Sequence, residues 1–139
     1  MPSHGALCRA ELWRGLPCWR VTLAQGDSLL VAEQGAQVLS WVSDGRERLF
    51  LSPGSAADGH TAIRGGVPIC WPQFNQRGAL PKHGFARHLA WQRGACVATP
   101  EGAELSLSLV ANEQTRAIWP QAFELLLTLR LRPGQLRIT

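Results

Sequence analysis

The sequence predicts an all-β protein, a sandwich or barrel of antiparallel strands. Two segments, Glu104–Leu109 and Phe123–Arg132, alternate polar and apolar residues, as strands do when one face is buried. Several shorter candidate strands recur at regular intervals between turn residues, and no other segment has the pattern of an amphipathic helix. This combination is typical of packed antiparallel sheets.

Four shorter segments complete the predicted strands: Ser28–Glu33, Ala36–Val42, Arg48–Ser52 and Cys96–Thr99. Glycine, proline and aspartate punctuate them at Gln34-Gly35, Ser43-Asp44-Gly45, Pro53-Gly54, Pro100-Glu101-Gly102 and Pro133-Gly134. The alternation in the last strand places Arg130 and Arg132 on its outer face. The polar segment Asn112–Trp119 runs into Pro120, so any helix there is short.

Length and composition indicate one globular domain. The 139 residues suffice for one domain and not for two, and 45% are apolar while 17% are charged. No apolar run approaches the roughly 20 residues of a membrane helix, and the N-terminus lacks the apolar core of a signal peptide. We therefore expect a cytoplasmic protein without a membrane partner. The strand pattern continues to Thr139, which predicts that the sequence ends inside a larger sandwich.

The charges favour a small-molecule partner over nucleic acid. The net charge is +4, and the 14 basic residues (13 Arg, with Lys82 the only Lys) are spread along the chain instead of forming a patch. Arginine forks nevertheless match phosphate and carboxylate groups. The four cysteines have neither redox nor zinc-finger spacing, which predicts free buried thiols. His83 and His88 have no third ligand at a suitable interval, so no metal site is expected.

The chemistry is expected in residues 53–91, an irregular segment without sustained alternation that is rich in glycine, proline, aromatic, arginine and histidine residues. Arg64 and Arg87, in an apolar and glycine-rich context, are candidate functional residues. The pair Gly65-Gly66 permits a sharp turn or close backbone approach. Two roles stay open for His83: contact with a ligand and a structural hydrogen bond. We expect the aromatic residues to lie in the core rather than to form a ligand platform: Trp71, Phe74 and Phe85.

Two motifs in this segment carry a specific resemblance. Residues 63–74 read IRGGVPICWPQF and residues 80–87 read LPKHGFAR. Together they resemble the signature of the glucose-6-phosphate 1-epimerase (hexose-6-phosphate mutarotase) family, within the aldose 1-epimerase group. Ordered flanking matches extend the resemblance over roughly residues 29–138: Gly35–Trp41, Leu49–Ser52, Thr115-Arg116, and Trp119-Pro120 with Phe123.

The resemblance implies an antiparallel β-sandwich of the galactose mutarotase-like type, with residues 1–139 forming the N-terminal portion of one domain. It also implies interconversion of the α and β anomers of a hexose 6-phosphate without metal or redox cofactor, in a protein that is monomeric at full length. The substrate-binding residues carried over by position are Arg64, Lys82, His83 and Arg87, with both arginines at the phosphate. Lys82 stands where the family commonly has Gln.

The resemblance places the catalytic residues outside this sequence. In the family a catalytic His and Glu, and a substrate-binding Asp, come from the second half of the chain, so we expect them after Thr139 and assign no catalytic residue here. Two other functions stay open. One is a sandwich module that binds sugar phosphate without turning it over. The other is an interaction role in which exposed strand edges pair with another chain.

Overall fold

The computed structural model describes residues 6–139, which form two antiparallel sheets. The first contains, in spatial order, β1 (Ala6–Trp13), β2 (Leu16–Leu23), β3 (Ser28–Ala32), β4 (Val38–Ser43) and β5 (Arg46–Glu47). The second contains β6 (Gln92–Ala98), β7 (Ala103–Val110), β8 (Glu124–Arg132) and β9 (Gln135–Ile138). Helix α1 (Glu113–Ile118) connects β7 to β8, and a 3-10 turn covers Ala86–His88. The predicted all-β antiparallel class is confirmed.

The two sheets meet in one apolar cluster, which we call the main core. Val31 of β3 is fully buried in it, together with Leu107 of β7 and Leu129 of β8. The alternation of the two long strands is therefore real, because Leu105, Leu107 and Leu109 all point inward. On β8, Arg130 and Arg132 are exposed, as predicted. Burial of these leucine side chains contributes roughly 2 kcal/mol of stability each and is the main term that stabilises the packing of the two sheets.

The opposite face of the first sheet is also covered. A second core contains Leu30 of β3 and Leu39 of β4, and Ile63 of the irregular segment packs against them. The same irregular segment also enters the main core through Phe85, Ala86, Leu89 and Trp91. Residues 48–91 therefore contact both faces of the first sheet.

Two local predictions have different outcomes, and two strands were not predicted. The strand predicted over Arg48–Ser52 is wrong, since within these described residues only Leu51 makes an isolated bridge, to Gly65. The short helix is confirmed as α1. The sequence pattern did not indicate β1 and β2, which pair along their whole length from Ala6↔Leu23 to Trp13↔Leu16.

The cysteines are free thiols, of which only Cys18 is fully buried; the other three are half-buried. Burial raises the pKa of the Cys18 thiol to about 11, so it is protonated at neutral pH. No helix in the described part of the chain is long and apolar enough to cross a membrane.

Candidate functional site

The connection between β3 and β4 supports the segment that carries Arg87. Gly35 lies in this connection with φ +71°, and a Cβ atom placed on it would be 2.9 Å from the Arg87 Cα. The Gly35 N–H also donates to the Leu89 carbonyl at 2.7 Å. This backbone-to-backbone approach is possible because glycine has no side chain.

The same connection supports the segment that carries Arg64. The Gln37 side-chain amide donates to the carbonyl oxygens of Ile63 at 3.0 Å and of Gly65 at 2.6 Å. Gln37 is two residues after the contact with Arg87, and two residues of chain span at most about 7 Å. The β3–β4 connection therefore contacts both segments, the one that carries Arg87 through Gly35 and the one that carries Arg64 through Gln37.

The backbone around Arg64 is further tied to the first sheet. The Gly66 N–H donates to the Phe50 carbonyl at 2.7 Å, and the Val67 N–H donates to the Val38 carbonyl of β4 at 2.9 Å. The Arg64 side chain itself is exposed. A fixed backbone thus presents a guanidinium group to solvent.

The other three predicted residues belong to one turn. The Arg87 Nη2 donates to the Lys82 carbonyl at 3.2 Å, which closes the turn. His83 lies between them with φ +64°, and its N–H donates to the Asn75 carbonyl at 3.0 Å. No hydrogen bond or ion pair among the described residues joins Arg64 to this turn, and the β3–β4 connection contacts the segments that carry both groups.

His83 is held in one tautomer. Its Nδ1 accepts a hydrogen bond from the Asn75 N–H at 2.8 Å, so the neutral ring carries its proton on Nε2. Partial desolvation, together with the positive charges of Arg87 and Lys82, lowers the pKa of His83. At neutral pH the ring therefore offers a hydrogen-bond donor at Nε2 and no free basic nitrogen.

Within residues 6–139 the cations of this site take part in no ion pair. The ion pairs of the described residues include neither Arg64, Lys82 nor Arg87. The Arg87 Nε is also buried and has no protein partner in this part of the chain. A buried donor without an acceptor is costly, and guanidinium groups form their strongest hydrogen bonds with anions.

The aromatic residues of the segment divide between core and surface. Phe85 is buried in the main core, as predicted. Trp71 is half-buried in an aromatic cluster, with its ring centroid 5.3 Å from Trp119 and 4.7 Å from Phe123. Phe74 is 61% exposed, so its predicted core position is wrong. Its ring lies against His83, with 5.2 Å between centroids.

A cavity of about 470 Å³ adjoins His83 on the Phe74 side. Its lining consists of Pro72, Gln73, Phe74, Arg77, Gly78, Ala79, Leu80 and Trp119, and does not include the four predicted binding residues. Phe74 therefore contacts both the cavity and the His83 ring. Among residues 6–139, no group of three His, Cys, Asp or Glu side chains is arranged to hold a metal ion.

Two buried glutamines shape the site although sequence reasoning did not single them out. Gln37 holds the carbonyls on either side of Arg64. Gln73 donates to the Asn75 carbonyl at 2.8 Å and accepts from the Leu80 N–H at 3.0 Å, which closes the loop before Lys82. Glutamine is usually exposed, and nothing in its spacing shows that it is buried.

A sequence model of the aldose 1-epimerase family matches residues 19–139. The chain belongs to the aldose 1-epimerase family. Among family relatives, the "Putative glucose-6-phosphate 1-epimerase" of Escherichia coli (strain K12) is 43% identical over 104 residues, which are 72% of this chain and 35% of the relative. The protein of the same name from Cenchrus ciliaris is 42% identical over 112 residues, which are 76% of this chain and 34% of the relative.

Solved structures in this comparison share the fold. A crystal structure described as a "putative mutarotase" from Salmonella typhimurium superposes with a TM-score of 0.75 and 34% identity, over 91% of this chain and 46% of that one. A protein from Synechocystis sp. PCC 6803 superposes with a TM-score of 0.68 and 28% identity, over 99% of this chain and 48% of that one. The chain thus spans about a third of the length of its curated epimerase relatives.

Proposed function

We propose that this chain binds a hexose 6-phosphate through Arg64 and Arg87, as part of the active site of a mutarotase. The observation that carries the proposal is that Arg64, Lys82 and Arg87 take part in no ion pair among the described residues, and that the buried Arg87 Nε has no hydrogen-bond partner there. Family membership, and relatives named as glucose-6-phosphate 1-epimerases, support the choice of substrate class. Guanidinium forks favour phosphate oxygens, and Lys82 adds a third positive charge.

The reaction is the interconversion of the α and β anomers. A base removes the proton of the anomeric hydroxyl while an acid protonates the ring oxygen; the ring opens, the aldehyde rotates and the ring closes again. In this proposal the residues of this chain bind and orient the substrate. His83 serves as a hydrogen-bond donor through Nε2, because its Nδ1 is occupied by Asn75. The acid and base come from residues outside this chain.

Calorimetric titration tests the binding step. We expect glucose 6-phosphate to bind more tightly than glucose, and Arg64→Ala and Arg87→Ala each to weaken its binding about tenfold or more, since each removes charge-assisted hydrogen bonds. Arg46→Ala, which removes an exposed arginine from β5, is the matched control and should leave the affinity unchanged. Equal affinities for glucose and glucose 6-phosphate would overturn the proposal.

A module that binds sugar phosphate without catalysis is the second candidate. It is favoured because the described residues include candidate binding groups, whereas no acid or base is assigned among them. Polarimetry on freshly dissolved α-glucose 6-phosphate measures catalysis separately from binding. We expect this chain to bind the sugar phosphate without accelerating its mutarotation above the buffer rate. Acceleration well above that rate would show that the acid and base lie within these 139 residues.

A further inference from the structure

Arg64 is held by two buried polar side chains that contact only backbone. Gln37, from the β3–β4 connection, is fully buried. Its amide nitrogen uses both of its protons, one on the carbonyl before Arg64 and one on the carbonyl after it, at 3.0 and 2.6 Å. The Gln37 Oε1 has no protein partner in the described residues.

Ser55 holds the same residue from the other direction. It is 6% exposed, and its Oγ donates to the Arg64 carbonyl at 2.7 Å while accepting from the Arg64 N–H at 3.1 Å. The Arg64 carbonyl also accepts from the Ser52 N–H at 2.9 Å. Both backbone polar groups of Arg64 are therefore satisfied within the protein.

This arrangement holds the backbone and leaves the side chain available. Burying a glutamine and a serine costs solvation, which their hydrogen bonds to the backbone offset. The guanidinium of Arg64, in contrast, is exposed and takes part in none of the ion pairs among the described residues. A side chain on a fixed backbone loses less freedom when it binds a ligand, and this raises its affinity.

We infer that Gln37 and Ser55 are positioning residues for anion recognition by Arg64. The inference rests on the proposed function, because it takes the phosphate of a hexose 6-phosphate as the anion. In this role, Gln37 and Ser55 do more than stabilise the fold, because they hold the Arg64 backbone at a position from which its guanidinium contacts the phosphate. Removing either residue should weaken phosphate binding only while Arg64 is present.

A double-mutant cycle tests this dependence. Ser55→Ala and Gln37→Met are each measured alone and together with Arg64→Ala, by calorimetric titration with glucose 6-phosphate. We expect each to weaken binding about fivefold in the presence of Arg64 and to have no further effect in Arg64→Ala. Ser43→Ala, which changes a buried serine of β4 outside the candidate site, is the matched control and should leave the affinity unchanged.

The outcomes distinguish failure of the positioning role from failure of the proposed function. If Ser55→Ala weakens binding equally with and without Arg64, its role is general stability and the inference is wrong. If Arg64→Ala itself leaves the affinity unchanged, the proposed function fails at that residue and the positioning role fails with it. If Gln37→Met does not fold, as thermal unfolding would show, Ser55→Ala alone decides.

Discussion

Gly66, two residues after Arg64, has no room for a side chain. Its φ is +61°, and a Cβ atom there would lie 2.0 Å from the Val38 carbonyl oxygen of β4. Because that neighbour is backbone in a sheet, it cannot move aside as a flexible side chain would. We expect Gly66→Ala to lower the free energy of unfolding by about 3 kcal/mol or more, measured by urea denaturation.

Gly45→Ala is the matched control for this prediction. Gly45 has a similar φ of +72°, but nothing lies within 4 Å of its added Cβ atom. Its substitution should therefore cost only the backbone strain of about 1 kcal/mol. Equal losses for the two variants would show that the contact with Val38 is not what limits Gly66.

The sequence indicated the charged residues of the site but not the residues that hold them. Arg64 and Arg87 could be singled out from their residue type and glycine-rich context, whereas the binding roles of Lys82 and His83 came from the family resemblance. The role of all four residues in binding stays a prediction. Gln37 is different, because its importance comes from contacts with Ile63 and Gly65, 26 and 28 residues away in the chain. Such long-range contacts leave no periodic or local signal in a single sequence.

At the scale of elements, the clearest strand signal came from strands that bury only one face. In β7, polar and leucine residues alternate because one face lies on the main core and the other faces outward. In β2, Leu16 and Cys18 pack in the second core, while Val21 and Leu23 pack in the main core. When both faces are buried, apolar residues occupy both odd-numbered and even-numbered positions of the strand, so the alternation of polar and apolar residues is lost.

Helix α1 has six residues, which is too short to be stable alone, and its start is fixed by a capping box. The Asn112 Oδ1 accepts from the Thr115 N–H at 2.9 Å, and the Thr115 Oγ1 accepts from the Asn112 N–H at 2.9 Å. We expect Asn112→Ala to lower the free energy of unfolding by about 1 kcal/mol in urea denaturation. Gln114→Ala, on the exposed side, should change it by less than about 0.5 kcal/mol. Similar effects of both substitutions would exclude a specific role for the cap.

At the scale of the whole molecule, Asp27 joins the two sheets through their turns. It lies between β2 and β3 and is 2% exposed. Its Oδ1 accepts from the Asp44 N–H in the β4–β5 turn at 3.2 Å, and its Oδ2 accepts from the Gly134 N–H in the β8–β9 turn at 2.9 Å. Burial alone raises the pKa of Asp27, but hydrogen bonds from Gly134, Gln25, Asp44 and Ser43 outweigh it, and the pKa is lowered.

This lowered pKa predicts how the contact between the sheets depends on pH. A carboxyl group whose pKa is lower in the folded than in the unfolded state stabilises the fold above its unfolded pKa, about 4, and loses that contribution as the pH falls through the folded pKa. We expect Asp27→Asn to lower the free energy of unfolding by about 2 kcal/mol at pH 7, because an amide cannot accept at both positions. Urea denaturation from pH 7 to pH 2 should show this difference narrowing below about pH 4 as the wild-type carboxylate is protonated.

Asp44→Asn, which keeps the backbone donor and changes only an exposed carboxylate, should stay within about 0.5 kcal/mol of wild type at pH 7. A difference in the free energy of unfolding between wild type and Asp27→Asn that is constant over the whole range would contradict the role of the Asp27 charge.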